Sequence, residues 1–305
     1  QDVQSKMQSE RYLGGLFDAN SGHIHPLNYT LGLAQAALDA GVIIYTDSAV
    51  TKVTRKSQAN VCQTAQGQIK AQQVLFCGNA YMGKLVPEIS NKIMPVGTYI
   101  GATEPLGEAR AKALINNNMA IADVNFVLDY FRLSADYRML FGGRVSYSTL
   151  APPNLMHSMR QRMLGVFPQL ADVKMAYSWG GNVAITMNRG PHFGRVGQDL
   201  YFAQGFSGHG IAATGLAGKL STDAVAGQAE RFDLFKEISH LPFPGGTLLK
   251  TPALMLAMQG YRLRDKREKR GGYCYWDRLP LLALTTLAVV SPKLRKRWGR
   301  WVRKK

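Results

Sequence analysis

The chain has 305 residues, 46% of them apolar and 10% aromatic, enough to bury a sizeable core and to exclude a disordered chain. Its three cysteines, Cys62, Cys77 and Cys274, are odd in number and widely spaced, which excludes a disulfide framework and a zinc site, leaves no metal to expect, and fits a reducing, cytoplasmic compartment. The net charge of +17 is uneven: residues 266–305 hold 13 basic against 2 acidic side chains, leaving +6 to the first 265, so body and tail are read separately, and the body's charge calls for no nucleic acid.

A polar start, Gln1 to Arg11, and the lack of an 18-residue apolar run predict neither a signal peptide nor a spanning helix. The chain opens at Gln1 in a stretch that reads like the middle of something longer. Tyr12 to Ala19 is expected as a strand. Ser21-Gly22-His23-Ile24-His25-Pro26 turns into a helix on which Leu27, Leu31, Ala34 and Leu38 recur at helical spacing, with Pro26 at its first position and Gly41 as its stop. A strand is predicted at Val42 to Tyr45, then a hairpin of Ala49 to Arg55 and Val61 to Ala65, a turn at Gly67, and a buried strand at Val74 to Cys77. This is α/β patterning.

Beyond Ala80 the connections become turns. Strands are expected at Ile93 to Thr103, Phe126 to Leu133 and Tyr137 to Phe141, the last two joined at Ser134-Ala135-Asp136. One helix, Asn154 to Phe167, precedes two further strands, Lys174 to Trp179 and Val183 to Met187. The α/β patterning then resumes with a buried strand at Leu200 to Ala203, a glycine-rich loop from Gly205 to Gly210, and a helix from Ile211 whose apolar face is read as Ile211, Ala212, Leu216, Leu220, Ala224 and Val225. An α/β domain interrupted by an antiparallel one is the expected architecture.

The segment richest in chemistry is Gly205-Phe206-Ser207-Gly208-His209-Gly210-Ile211. Glycines let backbone approach a flat ligand, and a helix start presents unpaired N–H groups and a positive dipole end to an anionic group. A tight turn without a ligand would carry the same residues.

This loop, together with Ser21 to Pro26, Thr103-Glu104-Pro105-Leu106 and Phe76-Cys77-Gly78-Asn79-Ala80, resembles the D-amino-acid oxidase superfamily of FAD-dependent amine oxidoreductases. Gly227 to Asp233 and Leu241 to Gly246 add a likeness to its gamma-glutamylputrescine oxidase branch, and the resemblance runs from Tyr12 to Asp265. It implies residues 1–79 and 196–240 as parts of one Rossmann-like FAD-binding domain, an antiparallel-sheet substrate domain at 80–195, an extension at 241–265 and a basic tail at 266–305. It also implies that Gly205, Phe206, Ser207, Gly208, His209, Gly210 and Ile211 face the flavin, with Val50 near the adenine and Gly78 and Asn79 beside the dinucleotide.

The implied activity is oxidation of an amine C–N bond, in a substrate such as gamma-glutamylputrescine, to an imine and then an aldehyde, with oxygen as acceptor. Candidates for direct roles are His23, His25, Tyr130, Arg132, Arg144 and Tyr147, the last four for holding a remote carboxylate. Three departures from the family pattern matter. Ala212 stands where some members carry a lysine for a small substrate's carboxylate, so a sarcosine-type substrate is disfavoured. No cysteine occurs in Trp179-Gly180-Gly181-Asn182, so FAD is expected to be non-covalent. No strand–GxGxxG–helix fingerprint occurs, so the pyrophosphate cradle and central strand are expected ahead of Gln1, leaving their neighbours unpaired and apolar surface exposed. A catalytically silent fragment is therefore an alternative reading. The tail, with Leu279 to Val290 too short to span a bilayer and Trp298 and Trp301 among basic residues, allows as a further one a basic protein that makes a weak contact with an anionic membrane surface, or binds nucleic acid, through it, beside a solvated tail with no dedicated partner. The oligomeric state is not legible.

Overall fold

A computed structural model of the chain describes residues 3–56, 59–125, 128–146 and 153–243, with the side chains of 144–146 excepted. Residues up to Leu241 form one compact unit. It contains three sheets: β1 (Lys52–Arg55), β2 (Asn60–Gln63) and β3 (Gln68–Ala71) in one, and β4 (Val74–Phe76), β10 (His192–Val196) and β11 (Leu200–Gln204) in another. The third holds β5 (Met94–Thr103), β6 (Ile121–Ala122), β7 (Tyr130–Leu133), β8 (Met139–Ser146) and β9 (Met175–Ile185).

The third sheet, ordered β6-β7-β8-β5-β9, is antiparallel throughout. Alternation along its strands sends Tyr99, Phe131, Leu133, Met139 and Phe141 to one face. There they pack under helix α3 (Glu108–Leu114) and helix α4 (Leu155–Leu164), whose Ala111, Leu114, Met159 and Met163 are buried. Phe131 lies 5.5 Å from Phe141 in a parallel stack and 5.1 Å from Phe167 edge-on, geometries that add to simple area burial. On the opposite face Tyr177 and Trp179 are exposed.

In the second sheet β11 runs parallel to β4 and antiparallel to β10. All five β11 residues are buried. One side is covered by α5 (Gly210–Val225) and α6 (Glu230–Lys236), which contribute Ala217, Leu220, Ala224 and Phe232 to a cluster with Phe193, Tyr201 and Phe206. The buried face of α5 differs from the one read in the sequence. Leu220 and Ala224 are inside as expected, but Ile211, Ala212, Leu216 and Val225 are exposed, because the side of α5 that enters the cluster with Phe193, Tyr201 and Phe232 carries Ala217, Leu220 and Ala224.

Four more expectations are corrected. Lys174–Trp179 and Val183–Met187 are one continuous strand, since Gly180 and Gly181 pair in register with Tyr99 and Thr98. The missing Cβ of Gly180 makes room for the Tyr99 ring, which an added carbon would meet at 2.5 Å. Tyr12–Ala19 and Val42–Tyr45 are not strands; among the described residues nothing pairs with them. Val74–Cys77 is buried only at Phe76, with Leu75 and Cys77 exposed, because β4 is the edge of its sheet.

Helix α1 (Pro26–Asp39) forms where predicted, capped by His25 and ended before Gly41, whose φ of +84° suits only glycine comfortably. Yet it has no buried residue. Leu27, Leu31 and Leu38, with Val42, Ile43, Ile44 and Tyr45 after the helix, present an apolar surface to solvent.

Candidate functional site

Parallel strands β4 and β11 end side by side, and in open α/β sheets the carboxyl ends of such strands are where ligands bind. β4 leads into Gly78 and the 3₁₀ turn Asn79–Tyr81, while β11 leads through Gly205–His209 into α5. The Gly205 N–H donates to Asn79 Oδ1 at 2.9 Å, so the two loops expected to meet a dinucleotide are joined directly. Asn79 holds φ at +45° and Gly205 at +72°. Left-handed backbone is tolerated by asparagine and glycine and by few others.

The glycine loop is also fixed to β9. The Ser207 N–H donates to Ala184 O at 3.0 Å, and the Thr186 N–H to Ser207 Oγ at 3.2 Å. Phe206 packs edge-on against Phe193 at 5.8 Å. One ring beyond the loop, the Asn182 N–H donates to the Tyr81 hydroxyl at 2.9 Å. These bonds connect the parallel-strand ends to the antiparallel sheet and make the loop a rigid ledge.

An added Cβ at Gly208, φ +96°, would meet nothing within 4 Å, so the loop's outer side is open. Ile211 is half exposed, and His209 makes no capping bond to the helix it precedes. The first N–H groups of the 16-residue α5 are thus not taken by its cap residue, and the dipole of that helix favours negative charge at this end.

The open face of the five-stranded sheet carries Thr98, Ile100, Tyr130, Arg132, Leu140, Tyr177 and Trp179 by strand alternation and register. The Tyr130 ring lies over Gly142, where an added Cβ would sit 2.1 Å from a ring carbon. Burial raises the Tyr130 hydroxyl pKa, offset in part by its hydrogen bond with Thr98. Burial alone lowers that of Arg132. Sequence patterning had singled out Tyr130 and Arg132 but not Thr98, Tyr177, Trp179 or Tyr81; the alternation from Tyr130 and the glycine opposite it were the available signals.

The remaining sequence candidates are placed as follows. His25 Nδ1 accepts from the Asn28 N–H at 3.3 Å and caps α1. His23 Nε2 meets Asn118 O at 2.8 Å and its Nδ1 meets Arg132 Nη1 at 3.2 Å. Because a carbonyl can only accept, Nε2 carries the proton and Nδ1 accepts from the guanidinium. Val50 is exposed in the segment before β1. Arg144 pairs with Tyr99 in the β8–β5 ladder, its side chain being outside the described residues, as is all of Tyr147. No group of three or more metal-ligating side chains occurs among the described residues.

Parallel strands ending at a glycine loop and a helix start, tied by hydrogen bonds to an antiparallel sheet, are the arrangement of a dinucleotide-binding α/β protein. The family is established by comparison. A model described as "FAD dependent oxidoreductase" (DAO) matches residues 2–224, and the chain belongs to that family, whose cofactor is FAD. It is 43% identical over 265 residues to gamma-glutamylputrescine oxidoreductase of Escherichia coli, covering 87% of this chain and 62% of that protein. A probable oxidoreductase, OrdL, of Haemophilus influenzae is also 43% identical, over 268 residues. The chain thus spans about three fifths of the length of these curated relatives. Among solved structures, glycine oxidase from Geobacillus kaustophilus matches with a TM-score of 0.60 at 22% identity, over 69% of this chain and 57% of that one. L-proline dehydrogenase from P. horikoshii matches with a TM-score of 0.58 at 18% identity, over 69% and 59%; both establish the fold. No described helix is long and apolar enough to cross a membrane.

Proposed function

We propose that the full-length protein is an FAD-dependent amine oxidoreductase that oxidises a gamma-glutamylated diamine at its free amine end, with oxygen as acceptor. The observation that carries the substrate class is the 43% identity, sustained over 87% of the chain, to a gamma-glutamylputrescine oxidoreductase. FAD, when bound, accepts the hydride released from the carbon next to the amine nitrogen.

The chain's own residues would serve this chemistry by position and charge. Gly205 to Ile211 would hold the flavin's pyrimidine end, with the start of α5 stabilising the negative charge that reduction places there. Gly78 and Asn79 would flank the dinucleotide, Asn79 also supporting the ledge through Gly205. The open sheet face, with Tyr130, Trp179 and Tyr177, would cover the reacting amine and exclude water. Ala212, in the first turn of α5, offers no cation for a short substrate's carboxylate.

The test uses the full-length protein loaded with FAD, with anaerobic bleaching of the flavin and oxygen uptake as readouts. Gamma-glutamylputrescine is expected to turn over faster than sarcosine. Faster turnover of sarcosine overturns the substrate assignment.

A further inference from the structure

Strand β9 is an edge of the five-stranded sheet, and an edge strand turns the N–H and C=O of every second residue away from its neighbour. On β9 these include Asn182 and Ala184, followed just past the strand's end by Thr186. The Ala184 carbonyl and the Thr186 N–H are taken by Ser207 of the glycine loop, and the Asn182 N–H by the Tyr81 hydroxyl at 2.9 Å. From Gly180 back to Ser178, no outward bond is made on this edge among the described residues. Tyr81 is thus the last attachment before the exposed Trp179. An added Cβ at Gly181 would lie 3.7 Å from the Tyr81 oxygen, which puts the hydroxyl on the side that Gly181 shares with Trp179 and Tyr177 by alternation.

Tyr81 also belongs to the 3₁₀ turn whose Asn79 Oδ1 accepts from the Gly205 N–H at 2.9 Å, and the Ser207 hydroxyl donates to the Gly205 carbonyl at 3.1 Å. The bonds close a ring that runs from Tyr81 to Asn182, along β9 to Ala184, then to Ser207, Gly205, Asn79 and back to Tyr81. Its members differ in burial. Ser207 is 6% exposed and Tyr81 70%, so the Tyr81 link adds little to the core and its effect lies in orientation. We propose that Tyr81 is a positioning residue: acting through Asn182, it holds the Trp179 end of β9 at a fixed distance from the glycine loop, so that the reacting carbon meets the flavin in one geometry. Reactions between held groups are sensitive to shifts of about 1 Å. The catalytic consequence rests on the amine-oxidation reading above; the tie between Tyr81 and the sheet edge does not.

The experiment uses full-length protein loaded with FAD. In Tyr81→Phe, which removes only the hydroxyl, exchange of the Asn182 amide with deuterium should quicken about 10-fold, while that of Thr186, held by Ser207, stays the same. The rate of anaerobic flavin reduction at saturating gamma-glutamylputrescine should fall about 3- to 10-fold, the factor that one neutral hydrogen bond carries. KM, FAD retention after desalting and melting temperature should not change. Asn182→Pro removes the other partner of the bond, at an N–H that faces the free edge, where proline is tolerated. It should give the same fall in rate, and the double variant no more than either alone. Unchanged Asn182 exchange in Tyr81→Phe, a reduction rate that stays at the wild-type value, or a fall that a folded Asn182→Pro does not reproduce overturns the proposal. The last outcome would mean that the hydroxyl meets substrate or cofactor itself. If the amine leaves the wild-type flavin oxidised, the amine-oxidation reading fails, while exchange at Asn182 still decides whether Tyr81 holds the edge.

Discussion

Replacing Asn79 separates the two features that let it support the glycine ledge. Asn79→Ala removes the acceptor of the Gly205 N–H, a bond of 2.9 Å, and leaves a buried donor unpaired, which costs about 1–3 kcal/mol. It also forces alanine to hold a φ of +45°, a further cost of about 1 kcal/mol. The expected loss is therefore about 2–4 kcal/mol. Asn79→Gly relieves the backbone strain but not the unpaired N–H, so about 1–3 kcal/mol should remain. Asn79→Asp keeps both an acceptor and tolerance of the left-handed region and should lose less than about 1 kcal/mol. Urea unfolding of the full-length protein, with the slope checked for constancy across variants, measures all three. Equal losses in the alanine and aspartate variants would show that the Gly205 bond does not hold the loops together, and the account of the ledge would fail.

Other outcomes follow from the same structure. His192 is buried beside Gln204 and His240, and burial, with His240 and Lys92 nearby, pushes its pKa from 6.5 down to about 3. The unfolded chain binds a proton there below 6.5 and the folded chain only near 3, so stability should fall as pH drops through that window, by up to about 3 kcal/mol at pH 4. Urea titrations at pH 7 and pH 4 should show a shallower dependence in His192→Phe, and an unaltered one refutes the assignment. Gly205→Ala should destabilise more than Gly208→Ala, because an added carbon at Gly205 lies 2.5 Å from Thr186 while Gly208 faces open space; Gly208→Ala should instead weaken FAD retention after desalting. Truncation after Asp265 should leave a cooperative melt, since the sheets and clusters described above are made by residues before 242. Loss of that transition would place the tail in the core.

Much of this protein was determined by local pattern in the sequence. Pro26, the leucine spacing and Gly41 marked helix α1; the apolar run at Leu200 and the glycines from 205 marked a buried strand opening onto a helix; motif order marked the family. These features depend on residues near one another in the chain, where backbone sterics and side-chain period act without reference to the rest of the fold. Tertiary structure decided what periodicity cannot carry. Whether Val42–Tyr45 and Tyr12–Ala19 become strands depends on a partner to complete their hydrogen bonds, and the described residues supply none. Gly180 and Gly181 read as a break, but Tyr99 needs the space that Gly180 leaves, so the strand continues. Ile211 and Leu216 read as core, but α6 covers another side of α5. The bond from Gly205 to Asn79 spans 126 residues; it exists only once the sheets have formed, because a chain position fixes which way a side chain points and only packing fixes what it meets.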